Sequence, residues 1–155
     1  GEVSAKEAMG LFAILIILSA SLLIWMNIFT LYIALAGLAL TSFYPLTKRF
    51  LPIPQFFLGL AFSWGVMMVS AAETNQISNT TLLLFLSCWL WIVAYDTAYA
   101  LCDMKDDLVL GINSSAITFG KNVVVFFLLL HLFSILLLFQ VAISLNFHFI
   151  FFNLL

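Results

Sequence analysis

Asp96, Tyr99 and Asp103 are spaced i, i+3 and i+7, a spacing that places all three on one face of a helix, and Asp107 follows one turn later. The ladder measures about 16 Å at a rise of 1.5 Å per residue. Carboxylates one turn apart are clustered hard oxygen donors, and such groups bind Mg²⁺ best when phosphate oxygens complete its octahedron. A diphosphate is the natural guest of this pattern.

Two other readings compete with that one. A helix end whose acids simply meet water accounts for Asp103, Asp106 and Asp107, but it accounts poorly for Asp96, expected about 10 Å inside the end of its helix. There an aspartate costs somewhat less than the roughly 2.5–3.5 kcal/mol of a mid-membrane site. A proton or cation pathway would also place an acid in a membrane helix. Such a pathway spreads its acids through depth on several helices, whereas these crowd at one helix end.

The elements that position the ladder are membrane helices. Of the 155 residues, 65% are hydrophobic and 8% are charged, and the mean hydropathy is +1.23. Soluble domains carry about 25% charge, so no soluble fold hides this much apolar surface. The net charge of −2 lacks the positive surface that nucleic acid requires, and nucleic acid is excluded as a partner. Cys88 and Cys102 have neither zinc-site spacing nor disulfide density and read as small apolar helix residues.

No charge lies between Glu7 and Lys48, a stretch too long for one span of about 20 residues, and Asn27 divides it into helices over 7–26 and 28–47. Pro52 and Pro54 lack the amide hydrogen of a helix interior and mark a loop before a third helix over 55–72. The polar stretch 73–80 leads to a fourth helix over 81–102. A charged, partly helical loop closed by Gly111 follows, and Ser114 or Ser115 caps a fifth helix over 115–145. The fold expected is therefore all-α, a transmembrane bundle of about five helices in one domain over 1–155. The apolar run from Ala8 is too long for a signal peptide and follows acidic residues, so it reads as a retained membrane helix, and both chain ends look cut.

Alternating the helices gathers Lys6, Lys48, Arg49, Lys105 and Lys121 on one side and leaves Glu73 and His148 for the other. The positive-inside rule then places the acidic loop in the cytoplasm, or on the equivalent side of an organelle membrane.

Asp96-Thr-Ala-Tyr99-Ala-Leu-Cys-Asp103-Met-Lys105-Asp106-Asp107, followed by Gly111-Ile-Asn-Ser114, resembles the second aspartate-rich motif of the 4-hydroxybenzoate polyprenyltransferases in the UbiA superfamily. Tyr44-Pro-Leu-Thr-Lys48 resembles the Tyr-x-x-x-Lys element of that superfamily, and Pro54-Gln55 with Gly59 to Gly65 resembles the next helix of its hydroxybenzoate branch. These matches fall in order across most of the chain. Lys105 stands where the family often has Arg, which keeps the charge but loses the bidentate fork. The family's first motif, of the Asn-Asp-x-x-Asp kind, is absent, as are its last helices.

The resemblance implies a central portion of a bundle of about nine helices. It implies transfer of a polyprenyl chain from its diphosphate to the ring of 4-hydroxybenzoate in ubiquinone biosynthesis, with Mg²⁺ as cofactor. Asp103 and Asp107 would be metal ligands, supported by Asp96, and these three would be the catalytic acids. Lys48, Tyr44, Tyr99 and Lys105 would bind the diphosphate, although an interfacial anchor also explains Lys48 and Tyr44. The partners implied are the two substrates and the lipid bilayer, with no obligate protein partner. The membrane implied is the bacterial inner membrane, or the mitochondrial inner membrane in a eukaryote. Homogentisate, a naphthoate, haem or a lipid glycerol are alternative acceptors within the superfamily, and the helix around Gly59 to Met68 favours hydroxybenzoate. With one of two aspartate-rich motifs, the 155 residues alone are expected to be inactive. Trp64, Trp89 and Trp91 are candidates for the wall of a water-excluding chamber and His131 for contact with the acceptor, but packing is the stronger reading for each.

Overall fold

The computed structural model describes residues 3–147, and every regular element among them is helical. The helices are α1 (Ala5–Leu22), α2 (Ile28–Thr47), α3 (Gln55–Thr74), α4 (Asn79–Leu110), α5 (Ser115–Phe119) and α6 (Val123–Ser144). A 3₁₀ turn, Leu23–Trp25, extends α1, and a second, Gly120–Asn122, joins α5 to α6. Together they make five segments long and apolar enough to cross a membrane. His148 lies outside the described residues.

Side-chain caps set most helix starts. Ser4 and Glu7 form a reciprocal capping box on α1, Asn27 caps α2, Ser78 caps α4 and Ser114 caps α5. Asn27 does more than interrupt an apolar run. Its Oδ1 accepts from the Thr30 amide at 2.8 Å, while its Nδ2 donates to the Ala71 carbonyl at 2.7 Å, tying the α1–α2 turn to the end of α3.

Two of the expected ranges change in a way that matters. The fourth helix is expected to stop near 102, with a charged, partly helical loop to follow, yet α4 continues without a break to Leu110. Met, Lys, Asp and Leu tolerate helix, and the stop is supplied by Gly111 at φ 64°. The Ile112 amide donates back to the Asp107 carbonyl at 2.9 Å, closing the last turn. The expected fifth helix is broken, because Gly120 adopts φ 48° and ψ −117° and separates α5 from α6. Elsewhere α2 covers 28–47 as expected, α1 starts earlier and tightens at Leu23, and α3 runs two residues past 72.

The main packing runs α2 on α3, α3 on α4 and α4 on α6, and no residue of α1 is buried. Val93, Ala94 and Leu130 form a central cluster, with Phe56, Trp89, Phe126 and Phe127 against it. One device recurs at successive helix pairs. The Trp64 indole donates to the Ile33 carbonyl at 2.9 Å and lies over Gly37, where a Cβ would come within 2.5 Å of the ring. The Trp89 indole likewise donates to the Phe56 carbonyl at 2.8 Å and lies over Gly59, where a Cβ would come within 2.7 Å. Both indoles therefore satisfy their N–H inside a helix interface, as packing residues do, and Trp64 also lines an apolar cavity between α1, α2 and α3. Between α4 and α6, buried Ser87 and Ser134 each donate to the other's carbonyl at 2.8 Å.

Candidate active site

At 32 residues α4 is about 48 Å long, well beyond the roughly 30 Å of hydrocarbon in a bilayer. A helix entering the hydrocarbon near Asn79 leaves it about 20 residues later, just past Asp96. Asp103, Asp106 and Asp107 then stand beyond the apolar layer, and Asp96 sits at its edge. The distance from Asp96 to the end of the helix is about 21 Å, not the shorter one expected, because the acidic stretch is itself helical.

Continuous helix also settles which residues share a face. At 100° per residue Asp103 and Asp107 fall within about 20° of the Asp96 direction, whereas Lys105 falls about 180° from it. Lys105 is exposed and does not join the acidic line. Asp96 and Asp107 are half-buried and Asp103 is exposed. Tyr99 is exposed as well, and its hydroxyl lies 3.2 Å from that of Tyr95, with the rings 5.0 Å apart. Tyr95, which the sequence did not single out, thus forms a phenol pair beside the ladder.

The other half of the site comes from the end of α2. Lys48 caps that helix and half-buried Tyr44 lies one turn before it. Lys48, Asp103 and Asp107 lie close enough to Asp96 to act on its charge, and Asp96 is close enough to Tyr44 to do the same. Lys48, Tyr44 and Asp96 are thus gathered at one end of the bundle with Asp103 and Asp107. Among the described residues no three Asp, Glu, His or Cys side chains converge on a point that could hold a metal ion. Two carboxylates one turn apart nevertheless fit Mg²⁺, which takes one or two carboxylates and completes its octahedron with water and substrate phosphate.

A set of hydrogen bonds that the sequence did not reveal joins the segment 113–118, at the start of α5, to the α2–α3 connection, to the first residue of α3 and to α4. The Asn113 amide donates to the Lys48 carbonyl at 3.2 Å, and the Thr118 hydroxyl donates to the Pro52 carbonyl at 2.5 Å. The Ser115 amide donates to Gln55 Oε1 at 2.9 Å, and Ser115 Oγ donates to Thr97 Oγ1 at 2.9 Å. His131, by contrast, sits away from these groups in α6, its Nδ1 3.1 Å from the Phe127 carbonyl and its ring edge-on to Trp91.

Helices of membrane-crossing length, acids at the exit of one and a lysine at the exit of another define an integral membrane protein with a charged site at one interface. The UbiA prenyltransferase family model matches residues 1–155, and the chain belongs to that family. The chain is 49% identical over 120 residues to a 4-hydroxybenzoate octaprenyltransferase of Alcanivorax borkumensis, covering 77% of this chain and 41% of that protein. It is 48% identical over 122 residues to the enzyme of that name from Vibrio parahaemolyticus, covering 79% and 43%. The corresponding protein of Aeromonas salmonicida is 46% identical over 122 residues, covering 79% and 42%. The chain thus spans less than half the length of these relatives. No solved structure matches it.

Proposed function

We propose that the protein containing this chain transfers a polyprenyl group from its diphosphate to the ring of 4-hydroxybenzoate, the prenylation step of ubiquinone biosynthesis. The observation that carries this reading is that Lys48 and Tyr44, at the end of α2, lie within electrostatic range of Asp96 on α4, the helix that also carries Asp103 and Asp107. A lipid diphosphate needs that position, with its tail among apolar helices and its head among charges.

Asp103 and Asp107 would hold Mg²⁺, with Asp96 supporting them from the edge of the bilayer. When bound, the ion supplies positive charge against the diphosphate as the allylic C–O bond breaks. Lys48 donates to a diphosphate oxygen as the bond pair leaves with that group. Tyr44 orients the head group or faces the developing carbocation from its ring. The ring carbon beside the phenol forms the new C–C bond and then loses its proton, restoring the aromatic ring. Apolar walls keep out the water that would quench the cation. Tyr99 contributes through its pair with Tyr95, and Lys105, on the opposite face of α4, contributes general positive potential only.

The acidic end faces the cytoplasm in this account, with the bacterial inner membrane as the membrane of residence. The 155 residues alone would not complete a turnover, because they carry one of the two aspartate-rich motifs that the family resemblance implies. The test is an assay of membranes bearing the complete reading frame, given a polyprenyl diphosphate and 4-hydroxybenzoate. Prenylated hydroxybenzoate is expected. Transfer to homogentisate or a naphthoate alone would correct the acceptor, and silence with every phenol would refute the reading.

A further inference from the structure

The residues proposed to grip the diphosphate come from α2 and α4, helices between which no strong direct packing occurs, since α3 lies between them in the chain of contacts. Both helices pack on α3, and a further link at the helix ends would hold Lys48 at a set distance from the acidic turns. The segment 113–118 is built to do so.

It binds the α2–α3 connection at two points, the Lys48 carbonyl and the Pro52 carbonyl, and the first residue of α3 at Gln55 Oε1. It also binds α4 through the Ser115 hydroxyl to Thr97. Thr97 and Ser115 are 0% exposed and Gln55 is 4% exposed. The chain ends properly, because Thr97 Oγ1 passes its own proton to the Val93 carbonyl at 2.7 Å. Thr97 is the residue after Asp96, so the one side-chain bond from this segment to α4 lands beside the deepest acid. Buried polar groups are retained at a cost in desolvation, and a chain in which every link is satisfied specifies one arrangement of the parts it joins.

We propose that Gln55, Ser115 and Thr97 are positioning residues, a buried hydrogen-bonded latch that sets the separation between the basic end of α2 and the acidic turns of α4. Its consequence for catalysis rests on the prenyltransferase reading above. The latch touches neither substrate and acts through where Lys48 stands relative to Asp96 and Asp103.

Ser115→Ala is the sharpest probe. It removes the link to Thr97 yet leaves the Thr97 hydroxyl its bond to Val93, so no buried donor is orphaned. The experiment uses the full-length protein with Cys88, Cys102 and every cysteine beyond these 155 residues replaced by Ser. Nitroxides at Arg49→Cys and Val109→Cys, both exposed, report the separation by pulsed electron resonance. Turnover is measured in parallel without labels. Ser115→Ala is expected to broaden the distance distribution and to raise the KM for prenyl diphosphate and the Mg²⁺ needed for half-maximal rate by about tenfold, the size of one lost buried hydrogen bond. The KM for 4-hydroxybenzoate should stay unchanged, and Ser115→Thr, which keeps the hydroxyl, should restore all three readouts. An unchanged distance distribution would overturn the proposal, as would equal rises in both KM values without rescue by Thr. Broadening in a protein whose unmutated form transfers nothing would uphold the latch and reject the prenyltransferase reading instead.

Discussion

The backbone amide of Asn113 donates to the backbone carbonyl of Lys48 at 3.2 Å, so the turn that ends α4 is fastened to the turn that ends α2. Asp107 lies in the first of these turns and Lys48 in the second, and Lys48 is within electrostatic range of Asp96 on the same helix as Asp107. If Lys48 serves the diphosphate, Lys48→Gln should lower kcat/KM for the prenyl diphosphate by roughly 10- to 100-fold, since a charge-assisted hydrogen bond contributes about 1.5–3 kcal/mol. Titration of prenyl diphosphate at saturating acceptor measures it. An unaltered value would leave Lys48 an interfacial anchor.

The indole-over-glycine contacts make a stability prediction. Gly59→Ala puts a methyl 2.7 Å from both Trp89 Cδ1 and Val93 Cγ2, and Gly37→Ala puts one 2.5 Å from Trp64. Each should destabilise the bundle by about 1–3 kcal/mol through overpacking. Gly65→Ala, with nothing within 4 Å of the new atom, should be neutral or slightly stabilising. Thermal unfolding of the full-length protein in detergent separates the three.

Across the α4–α6 interface the Ser87 and Ser134 hydroxyls each donate to the other residue's backbone carbonyl, which alanine would keep, but their oxygens also lie 3.1 Å apart, and through that contact their effects should not add. A double-mutant cycle to alanine should give a coupling of about 0.6 kcal/mol, as found for hydrogen bonds between membrane helices. Simple additivity would mean that the two hydroxyls do not interact with each other and that only their bonds to backbone carbonyls matter.

Gly111 holds a left-handed conformation at the end of α4, four residues from Asp107. Gly111→Ala should cost about 1 kcal/mol and fray the last turn. Hydrogen exchange of the Ile112 amide, bonded to the Asp107 carbonyl, is expected to quicken while the Val93 region stays protected.

Much of this architecture was legible in the sequence because single residues carry it. Asn27, Pro52, Pro54 and Gly111 punctuate an otherwise apolar chain, and the spacing of Asp96, Asp103 and Asp107 needs only the helical period. The extent of α4 was not legible, because four aspartates and a lysine between 96 and 107 have the composition of a loop while tertiary structure and the Gly111 stop keep them helical. The break at Gly120 was hidden by apolar residues on both sides, which match a continuous span. Gln55 and Ser115 are sixty positions apart, and neither type marks a buried partner at that range. Trp64 and Trp89 donate their indole N–H inside helix interfaces, and the glycines beneath them emerge only in three dimensions.

The most direct test of the central claim, that the α4 carboxylates hold Mg²⁺ against the diphosphate, is the Mg²⁺ dependence of prenyl transfer by the full-length protein. Asp103→Asn and Asp107→Asn should each be compared with Glu73→Gln at the opposite end of the bundle. The account predicts that either aspartate substitution abolishes transfer or shifts its Mg²⁺ requirement upward by tenfold or more, of order 1.4 kcal/mol or greater, while Glu73→Gln follows the unmutated protein. Wild-type Mg²⁺ dependence in both aspartate variants would contradict it.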